Sequence, residues 1–184
     1  MNDAGCFLQG EVFGGAAQGA QSAIGITLGT GLGSARFHNN IASDADLWCM
    51  PFKNSIAEDY LSTRWFVKRY RELSGQHVNN VKELIKLKTE EPYRQMVFNE
   101  FGSNLALFFA EFIAASKPPE MIIIGGNIAL TEQFFMPELQ KNLHRMGTNI
   151  NIRIAKLGEA APIFGAAGYW LAAANPKQTI ASLL

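Results

Sequence analysis

Residues 121–126, Met-Ile-Ile-Ile-Gly-Gly, constrain the fold more than any other stretch of the chain. Four apolar residues in a row that end on paired glycines read as a buried strand. A helical pattern follows from about Thr131 to Arg145, and "INIRIAKL" then alternates like a second strand. A small-residue helix over Ala160–Ala174, able to pack closely, closes the chain's regular structure. Strand, helix, strand and helix in this order contain a βαβ unit, and its parallel strands must pair inside a covered sheet. The expected fold class is therefore α/β.

Upstream elements fit the same sheet. A helix is expected from about Ala4 to Phe13, stopping at Gly14-Gly15. Two β-like runs, Ala23–Leu28 and Gly33–Phe37, flank a glycine-rich turn. "SIAEDYLSTRWFVKRYRELSG" reads as one amphipathic helix, with Ile56, Tyr60, Val67 and Tyr70 at helical spacing and Gly75 after its end. A short helix over Val81–Leu87 precedes a long one from about Pro92 to Ser116, with a bend expected at Gly102. Lys117-Pro118-Pro119 stops it. Neither an internal repeat nor a domain-splitting linker is visible, so 184 residues read as one domain.

Composition narrows the function classes. Sixteen Lys+Arg balance sixteen Asp+Glu, which gives no basic field for nucleic acid. Hydrophobic residues make up 48% and charged residues 17%, as in a folded globular chain. Leu105–Ala115, the longest greasy stretch, is interrupted by Glu111 and is too short to span a bilayer. Met1 is followed by Asn-Asp instead of a basic and then apolar run, so no signal peptide is readable. Cys6 and Cys49 form no CxxC pair, which favours a reduced, cytoplasmic setting over a disulfide framework.

Four stretches could carry chemistry. In "TLGTGLG", Thr27–Gly33, alternate glycines leave N–H groups free to face an anion, and Thr27 and Thr30 add hydroxyls. The same residues also suit a plain hairpin turn. "IIIGGN", Ile122–Asn127, ends a buried strand on Gly125, Gly126 and Asn127, where a flat ligand can approach the sheet's carboxyl edge. A tight strand-to-helix connection would look alike. Asp3, beside Asn2, is either a helix cap or a general base. Asp46 and Glu58 could hold sugar hydroxyls by charge-assisted bonds. Alternatively Asp46 is solvated surface, and Ser55-x-x-Glu58 is a capping box for the helix behind it.

The order of these pieces narrows the choice. "NDA…GE", "ITLGTGLG", an acidic loop, "EDYLSTR", "IIIGGN" and "GEAAPIFGAAGYW" succeed one another over nearly the whole chain. In that order they resemble the carboxyl-terminal part of the ROK family of sugar kinases and sugar-responsive repressors. The resemblance implies a ribonuclease-H-like (actin-like ATPase) lobe with a mixed sheet and flanking helices. It also implies that the amino-terminal lobe, with its Asp-x-Gly-Gly-Thr motif, lies outside this sequence. Asp3 matches the family's catalytic base, and Asn2, Asp46 and Glu58 match sugar contacts. Thr27, Gly29, Thr30 and Gly31 match the second phosphate motif, while Gly125, Gly126 and Asn127 match the border of the adenosine.

Three departures accompany the resemblance. Cys49 stands where the family has the His of Glu-x-x-His, and Asp46 replaces its Glu. The zinc-binding cluster of three cysteines is absent, with Met50–Ala57 in its place, and His38, His77 and His144 are scattered. No zinc site is expected. The implied activity is transfer of the γ-phosphoryl group of ATP to a sugar hydroxyl, with Mg2+ held mainly through the nucleotide. A non-catalytic sugar sensor and a dimer-forming scaffold lobe are the alternatives. A homodimer is expected, with the helix around Trp65, Phe66 and Tyr70 and the segment Phe98–Phe112 as candidate contacts; the alternative is that these aromatics fill the core of the chain itself.

Overall fold

The computed structural model describes residues 2–87, 92–115 and 117–174. Five strands form one mixed sheet: β1 (Ser22–Leu28), β2 (Leu32–His38), β3 (Ile41–Asp44), β6 (Met121–Gly125) and β7 (Asn151–Ile154), ordered β3-β2-β1-β6-β7. β1 pairs antiparallel with β2, and β2 with β3, while β1, β6 and β7 run parallel. Two-residue strands β4 (Pro51–Phe52) and β5 (Ser55–Ile56) pair outside this sheet. The helices are α1 (Asp3–Gly14), α2 (Thr63–Ser74), α3 (Val81–Lys86), α4 (Pro92–Ala115), α5 (Glu132–Arg145) and α6 (Ala161–Ala174). The expected β6-α5-β7 unit is present. Ser116, the residue at which the long helix was expected to end, lies outside the described residues.

Alternation along the strands sorts side chains into two cores. Ala23 and Ile123 belong to the core with α1 residues Phe7, Leu8 and Val12. Ile24, Ile26, Ile122 and Ile124 belong to the larger core, with Phe66, Phe98, Phe101 and Phe135 from α2, α4 and α5. One face of the sheet thus carries α1, with α6 beyond it, and the other carries the aromatic helices. α1 and α6 approach until backbones touch: a Cβ on Gly10 would stand 2.0 Å from the Ala161 carbonyl oxygen. Only a residue without a side chain fits there.

The long amphipathic helix expected over 55–75 is shorter than its pattern. Ser55–Ile56 is a strand, Ala57–Asp59 a 3-10 turn, and the helix begins at Thr63. The capping box does not form, because Glu58 is drawn to the backbone of Leu32 and Ser55 donates its hydroxyl to Asp59. The Thr63 N–H is likewise held by the Gly29 carbonyl at 2.8 Å. Tertiary contacts override local propensity here. Helix α4 continues through Gly102, the point at which it meets α5: a Cβ there would lie 2.5 Å from the Phe135 carbonyl oxygen.

Aromatics expected at a dimer contact are core residues instead. Trp65, Phe66, Tyr70, Phe98, Phe101, Phe108, Phe109 and Phe112 are all buried. Phe66 packs at a tilt against Phe101 at 4.5 Å and Phe98 at 5.1 Å between ring centroids, which joins α2 to α4. Burial of rings this size contributes several kcal/mol only where the partners fill the space, so removal leaves a cavity. Phe66→Ala should lower unfolding free energy by about 3–5 kcal/mol, read from urea denaturation. A loss under about 1 kcal/mol, as at an exposed site, would contradict this packing.

Candidate functional site

The glycine turn closes the β1–β2 hairpin at the carboxyl end of β1, the central strand. Within it, the Gly29 N–H donates to the Gly31 carbonyl at 3.0 Å. Leu32 donates its N–H to Glu58 Oε2 at 3.0 Å, and Glu58 Oε1 accepts from Arg64 Nη2 at 2.6 Å. The N–H groups of Thr30 and Gly31 have no hydrogen-bond partner among the described residues. Two adjacent unpaired amides, beside the hydroxyls of Thr27 and Thr30, suit the oxygens of a phosphate.

Beside the turn, β6 ends at the same edge of the sheet. Gly125 is buried on the α1 side, where a Cβ would collide with the Phe7 ring at 2.5 Å. Gly126 takes φ +85°, and a Cβ on it would sit 2.4 Å from the Leu28 carbonyl oxygen. The turn after β6 can therefore lie directly against the end of β1. Ile128 N–H donates to Leu28 O at 3.1 Å and locks that contact. A cavity of about 550 Å³ results, lined by Thr27–Gly33, Glu58, Gly126, Asn127 and Glu159. A larger groove of about 1090 Å³ shares Thr30, Gly31 and Glu58 and runs along α2 past Arg64, Lys68 and Arg71.

The start of α1 abuts the other end of the turn. A Cβ on Gly33 would lie 3.4 Å from the Ala4 Cβ. Asn2, and not Asp3, caps the helix: its Oδ1 accepts the Gly5 N–H at 2.8 Å. Asp3 is consequently left exposed in the first turn, with no hydrogen bond or ion pair among the described residues. Asn2 donates through Nδ2 to Asp44, whose other oxygen accepts the Asp46 N–H at 2.9 Å. Asp46 itself is exposed at φ +50°, opening the 3-10 turn Leu47–Cys49, and the Cys49 thiol donates to its carbonyl at 3.2 Å.

Every phosphate-turn residue named from the sequence, together with Glu58, Gly126 and Asn127, lines one cavity. Asn2 and Asp46 meet through Asp44, a residue the sequence reading passed over because it lies in no motif. Arg64 and Glu159 were also missed. Arg64 stands six residues after Glu58, a spacing that signals no contact in either helix or strand. His38, His77 and His144 are exposed, and among the described residues no group of three or more His, Cys, Asp or Glu could hold a metal ion. No described helix is long and apolar enough to cross a membrane.

Known proteins resemble this chain over most of its length. The profile of the ROK family matches residues 38–173. An N-acetyl-D-glucosamine kinase from Photobacterium profundum is 27% identical over 195 residues, covering 90% of this chain and 64% of that protein. The ROK hexokinase from Thermus thermophilus superposes with a TM-score of 0.80 at 21% identity, covering 95% of this chain and 65% of that one. A ROK glucokinase from Streptomyces griseus, in complex with glucose and AMPPNP, gives a TM-score of 0.73 at 22% identity, covering 91% and 66%. The chain thus spans less than two thirds of the first two proteins. The chain shares the fold of these kinases over the matched part, a mixed sheet between helices.

Glu58 joins the turn to α2, so its removal is testable. Glu58→Ala should leave the buried Leu32 N–H unpaired, at a cost of about 1–3 kcal/mol. Urea denaturation together with amide exchange at Leu32 measures both effects. Unchanged stability with a still-protected Leu32 amide would contradict the geometry.

Proposed function

Because the chain belongs to the ROK family, we propose that it is the carboxyl-terminal lobe of an ATP-dependent sugar kinase. The observation that carries this reading is the abutment of the α1 start against the glycine turn. It brings the first turn of α1, which carries the exposed Asp3, against Gly33 at the end of the turn whose Thr30 and Gly31 amides are free. Phosphoryl transfer requires that neighbourhood: a base for the hydroxyl proton next to donors for the phosphate.

In the reaction, Asp3 accepts the proton of a sugar hydroxyl as that oxygen attacks the γ-phosphorus. The bond from the γ-phosphorus to the bridging oxygen breaks, and ADP leaves with that oxygen. Thr30 and Gly31 donate N–H groups to the phosphates, with Thr27 and Thr30 hydroxyls beside them. Gly29 shapes the turn, since its own N–H is engaged by Gly31. Gly126 and Asn127 border the adenosine, and Gly125 brings the strand end into position. Asn2, Asp46 and Glu58 orient sugar hydroxyls. The Asn2 amide is fixed for this by two bonds, to Gly5 and Asp44. Glu58 has Arg64 as its counter-charge.

The donor set fits a metal-bound nucleotide. Glu58 and Glu159 line the phosphate cavity; Arg64 answers the charge of Glu58, and the carboxylate of Glu159, without an ion pair among the described residues, disfavours a bare polyanion. Mg2+, held mainly by the nucleotide's phosphates, would supply the neutralising charge. The names of the relatives direct the substrate class to hexoses and N-acetylhexosamines.

A second reading, sugar binding without turnover, draws support from Cys49, whose thiol is bonded to the Asp46 carbonyl. Free Cys6 and Cys49 accord with a cytoplasmic setting. A homodimer stays within the proposal, through surfaces other than the buried aromatics.

Activity tests of Asp3 separate the two readings. The chain alone should show no appreciable sugar phosphorylation, because catalysis by positioning needs the closing lobe. Completed with the amino-terminal lobe of a ROK kinase, it should turn over. Asp3→Asn should then lower kcat by about a hundredfold to ten-thousandfold while sugar affinity is largely kept. A variant within a few-fold of wild type would reduce Asp3 to a helix-terminal residue. No turnover in the completed protein would favour the sensor.

A further inference from the structure

Glu11 is fully buried, yet it sits on the apolar helix α1 among Phe7, Leu8 and Val12. Among the described residues it forms no ion pair. Its carboxylate accepts backbone amides from two separate segments. Ala16 N–H reaches Oε2 at 2.7 Å, Leu157 N–H reaches Oε1 at 2.8 Å, and Lys156 N–H lies 3.1 Å from both oxygens. A buried carboxylate costs several kcal/mol unless its oxygens are paired, and here three backbone donors pair them.

The segment so held borders the candidate site. Arg153 Nη1 donates to the Ala16 carbonyl at 2.9 Å, and Ala155 N–H donates to Ile124 O at 2.9 Å. After Leu157 the chain turns at Gly158, with φ +54°, into the 3-10 turn Gly158–Ala160 that leads to α6. Glu159 of that turn lines the phosphate cavity together with the glycine turn. Glu11 lies eight residues along the same helix from Asp3, about 12 Å at 1.5 Å per residue. One helix therefore carries the candidate base at its start and, farther along, the anchor of the segment that brings Glu159 to the cavity.

We propose that Glu11 is a positioning residue for the nucleotide, fixing the 156–160 segment, and Glu159 with it, relative to the glycine turn and to Asp3. The inference rests on the kinase reading above. A hydrogen bond to a charged group is worth about tenfold or more in an equilibrium. Glu11→Gln keeps the size but turns an NH2 donor toward the amides, which removes at least one such bond.

Two measurements on the 184-residue chain test it, with MgADP as the probe. In Glu11→Gln, amide exchange at Lys156, Leu157 and Glu159 should quicken by about tenfold or more while β1 and α4 stay protected. MgADP affinity should fall by about tenfold, and sugar affinity should be unchanged. In the completed kinase the same variant should raise KM for ATP more than it lowers kcat, the sign of lost nucleotide positioning. Faster local exchange with unchanged MgADP affinity would overturn the proposal, leaving Glu11 a purely structural residue. Exchange accelerated uniformly over the sheet would also overturn it. Should Glu11→Gln fail to fold, Glu11→Asp, which keeps the charge and shortens the reach, is read by the same criteria. A wild-type chain with no affinity for MgADP would sink the kinase reading, and this inference with it. Wild-type affinity retained in the variant would sink the inference alone.

Discussion

Parallel pairing of β1 with β6 is the contact on which the site depends. It brings the carboxyl ends of two distant segments, Leu28 and Gly125, to one edge of the sheet. The glycine turn leaves the first end, and Gly126-Asn127 leaves the second. Ile128 N–H to Leu28 O, at 3.1 Å, then seals the two connections together. A parallel pair cannot be closed by a hairpin, so the chain must travel through α2, α3 and α4 before returning. Those helices supply the aromatic core that covers one face of the pair. The cavity is a product of topology, with side chains added afterward.

The opposite face explains why α1 can place Asn2 and Asp3 where it does. Phe7 occupies the space a Cβ on Gly125 would need, and Leu8 the space of one on Gly25. The helix thereby sits close to the two central strands. On its outer side Gly10 and Gly165 admit α6 at backbone contact. Fixed on both sides, α1 has little freedom to slide, and its first turn stays beside the glycine turn. Small residues here serve proximity more than flexibility.

Much of this was legible in the residues, and the misses share one cause. β6, α5 and β7 followed from the Ile122–Ile124 run and the alternation behind it, because burial on a sheet imposes its period on the sequence. The turn Thr27–Gly33 was singled out by its alternate glycines and Gly126-Asn127 by a buried strand's end, the resemblance chose a ligand role over plain turns, and one cavity gathers all of them. Ser55-x-x-Glu58 misled, since a capping box is a local pattern and Glu58 answers to Leu32, a partner 26 residues away. Asp44 and Arg64 escaped for the same reason: each acts through a residue remote in sequence or outside regular spacing. Trp65, Phe66 and Tyr70 could be read as a contact surface or as core, because a helix's apolar stripe does not say which neighbour covers it, and they are core. Glu11 stood within a quoted motif without a role, for its three amide partners include two from residues 156–157.

The central claim is that the glycine turn and the end of β6 form one nucleotide-phosphate site. Titration of the isotope-labelled chain with the Mg2+ complex of AMPPNP, followed by amide chemical shifts, tests it most directly. The account predicts the largest shifts at Thr30 and Gly31, whose N–H groups are unpaired, with Gly126 and Asn127 next. Shifts confined to the separate cavity lined by Arg36, His38 and Lys117, or no saturable shift at Thr30 and Gly31, would contradict it.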